Sequence, residues 1–251
     1  VNLELTGKRF ALAGATSALG GAIAAMLDAQ GATVLLLGRN AKKLDAVMSA
    51  MQGPQRHSSA TIDLEDDADG IVAPIESYAE ANGPLSGGVY CPGVEPVMPL
   101  RGLNTNMIER AFRVNYVAAQ MFTKALASKK ARHPKGGSVV LIGSVAGLRG
   151  NKGISTYCAS KAALIASARS LALELAELRI RVNSISPGWF ESPMAQSSFA
   201  WYPGGEEKVG EAHPLGVGTP DDVARAAVFL LSSAAGWVTG SNMVVDGGYL
   251  A

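Results

Sequence analysis

The chain has 251 residues, is 48% hydrophobic and 17% charged, and carries a formal net charge of +1. That composition supports a large core and excludes a disordered chain, while the near-neutral balance gives no long-range pull on a polyanion, so nucleic acid is not expected as a partner. The two cysteines, Cys91 and Cys158, have no metal-ligand spacing and read as reduced thiols, no apolar run reaches bilayer-spanning length, and "VNLELTGKRFALAG" lacks signal-peptide organisation. The expectation is a cytoplasmic protein of one domain over residues 1–251, with no metal and no membrane partner.

In chain order, short β-rich runs alternate with longer alanine-rich stretches. "RFALAG" predicts a buried strand, "GGAIAAMLDAQG" a helix closed by glycine, and "ATVLLLG" a second strand. "NAKKLDAVMSAMQ" predicts a helix, "SSATIDL" a third strand, and "DDADGIVAPIESYAEANG" a third helix. "SGGVY" is a fourth strand, followed by one long helix over roughly Asn106 to Arg132. The basic run "KALASKKARHPKGG" at its end reads as a solvated helix terminus, where cations suit the dipole. "GSVVLIGS" is the fifth strand, and a helix containing "STYCASKAAL" ends near "ELAELR". "IRVNSIS", "DDVARAAVFLLSS" and "NMVVDGG" supply the sixth strand, the last helix and the last strand. Repeated strand–helix alternation means an α/β fold: a Rossmann-like, doubly wound parallel sheet of about seven strands with helices on both faces. The longest irregular stretch, Pro187 to Pro220, holds Trp189, Phe190, Phe199, Trp201 and Tyr202 and is expected to line a substrate pocket.

Two local patterns point to chemistry. "AGATSALGGAIA" joins the first strand to the first helix, and its Gly14 and Gly20 flank a turn able to set a pyrophosphate on the helix N-terminus. After the second strand stands Arg39, where a carboxylate would favour NAD and a cation favours the 2′-phosphate of NADP. The second pattern is Tyr157 and Lys161, four apart and so on one helix face. An ammonium near a phenol favours the phenolate, which brings proton exchange with a carbonyl or alcohol toward neutral pH. Ser144, at the end of the preceding strand, supplies a hydroxyl to hold the substrate oxygen. Alone, the Tyr–Lys spacing arises readily by chance.

Ser144, Tyr157 and Lys161, behind a glycine-rich strand–helix turn, together resemble the short-chain dehydrogenase/reductase superfamily over nearly the whole chain. "AFRVNYVAAQMF" resembles the helix with the fourth catalytic residue, Asn115, and "RVNSISPGWFESPM" the stretch facing the nicotinamide. The resemblance implies a catalytic set of Asn115, Ser144, Tyr157 and Lys161, with Asn115 holding a water that links Lys161 to solvent. It implies cofactor contacts from Gly14, Thr16, Ser17, Leu19, Gly20, Arg39, Asp63, Leu64, Gly93, Tyr157, Lys161, Pro187, Gly188, Phe190 and Ser192. It further implies a 3-oxoacyl-reductase-like carbonyl reductase preferring NADP(H) over NAD(H). The substrate would be a ketone or secondary alcohol, apolar or aromatic from the loop's side chains and Met194, and the protein a homotetramer or homodimer through its long central helices. The departures are Ala13, Ala18 in place of a glycine, and Tyr90-Cys91-Pro92 where asparagines are usual; Tyr90 is expected to fill that space by packing. An NAD-dependent dehydrogenase, a non-catalytic NADP-binding homologue and, less well supported, a methyltransferase with a similar glycine turn stay open.

Overall fold

Strands from the whole length of the chain make one seven-stranded, all-parallel sheet in the order β3-β2-β1-β4-β5-β6-β7. The computed structural model describes residues 3–199, Phe199 by its backbone alone, and 204–251. The strands are β1 Arg9–Ala13, β2 Thr33–Gly38, β3 Ser58–Thr61, β4 Gly87–Tyr90, β5 Gly137–Ile142, β6 Ile180–Pro187 and β7 Asn242–Val245. The helices are α1 Ala18–Ala29, α2 Ala41–Ser49, α3 Val72–Asn82, α4 Thr105–Phe112, α5 Ala118–Ala127, α6 Ser155–Glu174, α7 Pro193–Phe199, α8 Gly205–Glu211 and α9 Pro220–Leu231. One apolar core lies under α1, α2 and α9, built on Phe10, Leu12, Ile23 and Leu36. The other lies under α3, α5 and α6, built on Ile75, Tyr90, Phe122 and Leu164. Winding runs outward in opposite directions from β1 and β4, so a crevice opens beyond their carboxyl ends, the usual place for a ligand in such sheets.

Three elements differ from expectation. The long helix over 106–132 is interrupted: Arg113–Val117 is a π turn between α4 and α5, and α5 stops at Ala127. The third strand ends at Thr61, leaving Asp63 and Leu64 beyond it. The stretch from 187 to 220 is not irregular throughout, because it contains α7 and α8. The Ser192 hydroxyl accepts from Ala195 N–H and Pro193 opens the helix, so a capping residue followed by an N-terminal proline was the sequence signal for α7.

The π turn draws a hydrogen bond from outside its own helix. Widening a helix by one residue leaves a carbonyl without its usual partner. Here the carbonyl of Val114 accepts from the hydroxyl of Tyr90, which is fully buried with its ring tilted against Phe122 at 5.6 Å. Tyr90 therefore fills the space by packing, as expected, and adds a hydrogen bond to the turn that carries Asn115.

A buried polar brace was not foreseen. Asp28, only 1% exposed on α1, accepts from Gln52 N–H and Arg56 and lies 3.1 Å from His57 Nε2. His57 Nδ1 accepts from Val34 N–H at 3.1 Å, so the ring proton sits on Nε2 and is donated to Asp28. Burial works against ionisation of Asp28, but His57, Gln52 and Arg56 outweigh it and hold the carboxyl below its usual range. The stability this carboxylate contributes is present above its unfolded pKa and is lost as pH falls through the lower folded value. Asp28→Ala strands His57 and Arg56, and urea denaturation at pH 7 should show a loss of about 3–5 kcal/mol. The variant's deficit relative to the parent should narrow below about pH 4. An unchanged midpoint would mean that the brace contributes nothing.

Candidate active site

At the carboxyl ends of the central strands lies a cavity of about 790 Å³. One end is the turn from β1 into α1. Gly14 has φ +75°, a conformation other residues avoid, and a side chain there would meet Pro92 N at 3.0 Å. Ser17 caps α1, its hydroxyl accepting from Gly20 N–H at 3.0 Å. A Cβ on Gly20 would sit 2.2 Å from Gly14 O, so this glycine permits the helix to close on the turn and lies behind the cavity wall. Ala18, which replaces the usual middle glycine, begins α1 with an ordinary negative φ, so its methyl costs no backbone strain. Thr16, Ser17, Ala18 and Leu19 line the cavity at the positive end of the α1 dipole.

Farther out, Arg39, Asn40 and Lys43 line the cavity beyond β2, with Asp63, Leu64 and Glu65 opposite them beyond β3. Asn40 caps α2, accepting from Lys43 N–H at 3.0 Å. Arg39 is 69% exposed and lies 3.4 Å from Glu65 Oε1, whereas Arg110 binds both oxygens of the same carboxylate at 2.7 and 2.8 Å. Glu65 is thus mainly Arg110's partner, and that bond holds its carboxyl below the usual range. Lys43 forms no ion pair among the described residues. The lysine was missed from sequence; its signal is a cation in the first turn of the helix after the Arg39 strand.

The inner end gathers Ser144, Tyr157, Lys161 and Gly93, with Pro187, Gly188, Phe190 and Ser192 along one side. Lys161 is buried; its Nζ donates to the carbonyl of Ile142 at 2.8 Å and lies 5.8 Å from the centre of the Tyr157 ring. A side chain on Gly93 would come within 3.3 Å of that ammonium, so a glycine here keeps room for it. Ser144 Oγ accepts from Ala146 N–H at 3.1 Å, which leaves its proton for another acceptor. Asn115 is fully buried and lies behind the wall rather than on it. Its Oδ1 accepts from Val94 N–H at 2.8 Å, and its Nδ2 donates to Val94 O and Ser160 Oγ, both at 2.9 Å. That side chain ties the β4 loop to the helix carrying Tyr157 and Lys161.

The electrostatics correct one expectation. Tyr157 was expected to be lowered by Lys161, yet burial, aided by the Glu95 carboxylate, pushes it well above its usual value despite the nearby Ser144 hydroxyl. Burial brings Lys161 down to about 8, against the opposing pull of Cys91 and Glu95. Burial also pushes the Cys91 thiol up to about 12, so it is an inert wall group. At neutral pH the site holds a protonated phenol beside an ammonium. A carbonyl reduction that draws on this pair should run at constant kcat/KM between pH 6 and 7.5 and fall above about pH 8, as Lys161 loses its charge; a rate rising through pH 8 would contradict it.

The remaining wall is formed by Val94, Glu95, Ile154, Trp189 and Met194. Trp189 is held through His213, whose Nε2 accepts from Trp189 N–H at 3.2 Å while Nδ1 bonds the Val209 carbonyl in α8. Trp201, Tyr202 and the side chain of Phe199 lie outside the described residues. Cys158 is not on the cavity wall, and Asp246 accepts from Gly248 and Leu250 N–H in a turn. No helix among the described residues is long and apolar enough to cross a membrane.

Comparison with known proteins bears on this arrangement. The profile of the family described as Enoyl-(Acyl carrier protein) reductase matches residues 14–250. A 2,3-dihydro-2,3-dihydroxybenzoate dehydrogenase from Bacillus subtilis is 33% identical, over 97% of this chain and 96% of its own. A 3-oxoacyl-(acyl-carrier-protein) reductase from Rickettsia felis is 29% identical over 99% of both chains. The crystal structure of a short-chain dehydrogenase/reductase of the glucose/ribitol dehydrogenase type from Brucella melitensis superposes with a TM-score of 0.92 at 27% identity, covering 100% of each chain.

Proposed function

This chain belongs to the short-chain dehydrogenase/reductase family, oxidoreductases that act on CH–OH and C=O groups, and on that premise we propose that it is a cytoplasmic, single-domain carbonyl reductase using NADPH. One observation carries the proposal: Ser144, Tyr157 and Lys161 meet at the inner end of a cavity whose outer end holds the glycine turn, Arg39 and Lys43. The residues fit a dinucleotide, because the turn offers helix-terminal N–H groups beside a glycine at φ +75°, and the departures at Ala18 and Tyr90 add no backbone strain there.

The chemistry the cofactor supplies when bound is a hydride for the carbonyl carbon. Tyr157 gives its phenolic proton to the carbonyl oxygen, completing the alcohol. Ser144 donates a hydrogen bond to the same oxygen and stabilises the charge that grows on it. The Lys161 ammonium stabilises the phenolate left behind, which regains its proton from solvent. Its raised pKa keeps the phenol protonated at neutral pH, the form in which reduction needs it. Pro187, Gly188, Phe190 and Ser192 would hold the nicotinamide end of the cofactor, and Thr16, Leu19, Leu64 and Gly93 the rest of the dinucleotide. The substrate's apolar part rests against Val94, Ile154, Trp189 and Met194. Homo-oligomerisation through the outer faces of α5 and α6 belongs to the same proposal.

Arg39, Lys43 and the N-terminus of α2 are proposed to take the 2′-phosphate. The rival is an NAD-dependent dehydrogenase in which Arg39 stays on Glu65, 3.4 Å away. Titration with each reduced cofactor, followed by nicotinamide fluorescence, separates them. NADPH should bind tighter than NADH, and Arg39→Ala should weaken NADPH roughly 10- to 100-fold while leaving NADH unchanged. Preference for NADH, unaltered by the substitution, would overturn the NADPH assignment.

A further inference from the structure

We propose that Glu95 is a specificity-determining residue that accepts a hydrogen bond from a hydroxyl on the carbon next to the reacting carbonyl, so that the substrates are α-hydroxy ketones and their products vicinal diols. The inference rests on the reductase reading above and deepens it.

Three acidic residues line the cavity, and two of them, Asp63 and Glu65, stand at the far end beyond β3. Glu95 is the acidic residue at the reacting end. It follows β4 two residues after Gly93, where a Cβ would come within 3.3 Å of Lys161 Nζ, and it lines the same cavity as Ser144 and Tyr157. Glu95 is half-buried and shares the cavity wall with the apolar Val94, Ile154 and Met194. One oxygen, Oε2, accepts from the Ser198 hydroxyl of α7 at 3.0 Å. Oε1 has no hydrogen-bond or ion-pair partner among the described residues, so the carboxylate keeps acceptor capacity. A carboxylate in such surroundings is costly unless something donates to it. A bare hydrocarbon next to the carbonyl would desolvate Glu95 without replacing its bonds. A hydroxyl there would satisfy it and fix which face of the ketone meets the hydride. An ammonium is a poorer match, because Lys161 already places one positive charge in this end of the cavity.

The test compares kcat/KM with NADPH for matched pairs, 2-hydroxyacetophenone against acetophenone and 1-hydroxy-2-butanone against 2-butanone. The parent, Glu95→Leu, Glu95→Gln and Ser198→Ala proteins are each measured. A neighbouring hydroxyl also activates a carbonyl chemically, so the informative quantity is the change in ratio between proteins. Glu95→Leu should lower the hydroxy-to-deoxy ratio by about tenfold or more, the ratio cancelling the change in absolute rate that removing a charge near Tyr157 and Lys161 brings to both ketones. Glu95→Gln, whose amide oxygen still accepts, should keep part of the preference. If Glu95 serves only to hold α7 through Ser198, Glu95→Leu and Ser198→Ala will slow both members of each pair equally, and the proposal falls. It falls as well if 2-aminoacetophenone, rather than the hydroxy ketone, is the substrate whose advantage depends on Glu95. If the parent reduces no ketone, the reductase reading fails separately. Calorimetric binding of 1-phenyl-1,2-ethanediol against 1-phenylethanol then still decides Glu95: a diol preference lost in Glu95→Leu supports it, and equal binding refutes it.

Discussion

Tyr157→Phe should reduce kcat by roughly 10²- to 10⁴-fold, the range a positioned general acid contributes, while NADPH affinity and thermal stability stay close to those of the parent. The ring remains, so its packing beside Ser144 and Lys161 is kept, and only the proton that reaches the carbonyl oxygen is removed. Because kcat and kcat/KM fall together, the loss belongs to the transition state and not to ground-state binding. Steady-state kinetics with a reducible ketone, with fluorescence titration of NADPH on the same preparation, reads both quantities. Retained turnover would remove Tyr157 from the chemistry, and loss of cofactor binding would make it a structural residue.

Lys161→Met should be nearly as damaging to turnover, and its stability should move the other way. The ammonium is buried, and burial has brought its pKa down to about 8, so at pH 7 the fold holds a charge at a cost. Replacing it with an apolar side chain of similar length removes that cost, and what is lost in exchange is the bond to the Ile142 carbonyl. The thermal midpoint should hold or rise. Turnover should fall about 10²- to 10³-fold, since nothing then stabilises the phenolate left on Tyr157. A variant less stable than the parent would make Lys161 a structural residue of the sheet, and normal activity would remove it from the mechanism.

How much of this was legible in the sequence depends on how local each signal is. The sheet was legible because its inner parallel strands read as short apolar runs between alanine-rich helices, whereas the edge strand β3, Ser58–Thr61, carries no such run. Tyr157 and Lys161 were legible because four residues is one helical turn, and Ser144 because strand ends in this fold point at the crevice. The π turn at Arg113–Val117 was not, because the hydrogen bond it draws on comes from a tyrosine 24 residues upstream whose hydroxyl reaches Val114. Asn115 was found as a residue, but its brace to Val94 and Ser160 exists only once α6 has packed beside that turn. The partnership of Asp28 and His57 spans 29 residues and shows no periodicity. Glu95 stands in a loop, and its link to Ser198 bridges 103 residues, so only folding gives it a neighbourhood.

The pKa of Tyr157 shows the limit of pairwise reasoning. A cation four residues away lowers a phenol's pKa in water, but inside this cavity burial and Glu95 act more strongly and in the opposite direction. Ala18 and Tyr90 depart from the family's usual residues near the cofactor turn. In three dimensions one begins a helix with ordinary geometry and the other anchors a neighbouring turn.

The most direct test of the central claim, that this cavity performs carbonyl reduction and does not merely bind a nucleotide, is NADPH consumption at 340 nm across a ketone panel, with the alcohol quantified in the same reaction. The account predicts that NADPH is consumed in equimolar ratio to alcohol formed, at a rate that Tyr157→Phe abolishes. Tight NADPH binding with no ketone reduced, and no alcohol oxidised with NADP in reverse, would contradict it and make the chain a non-catalytic nucleotide-binding member of its family.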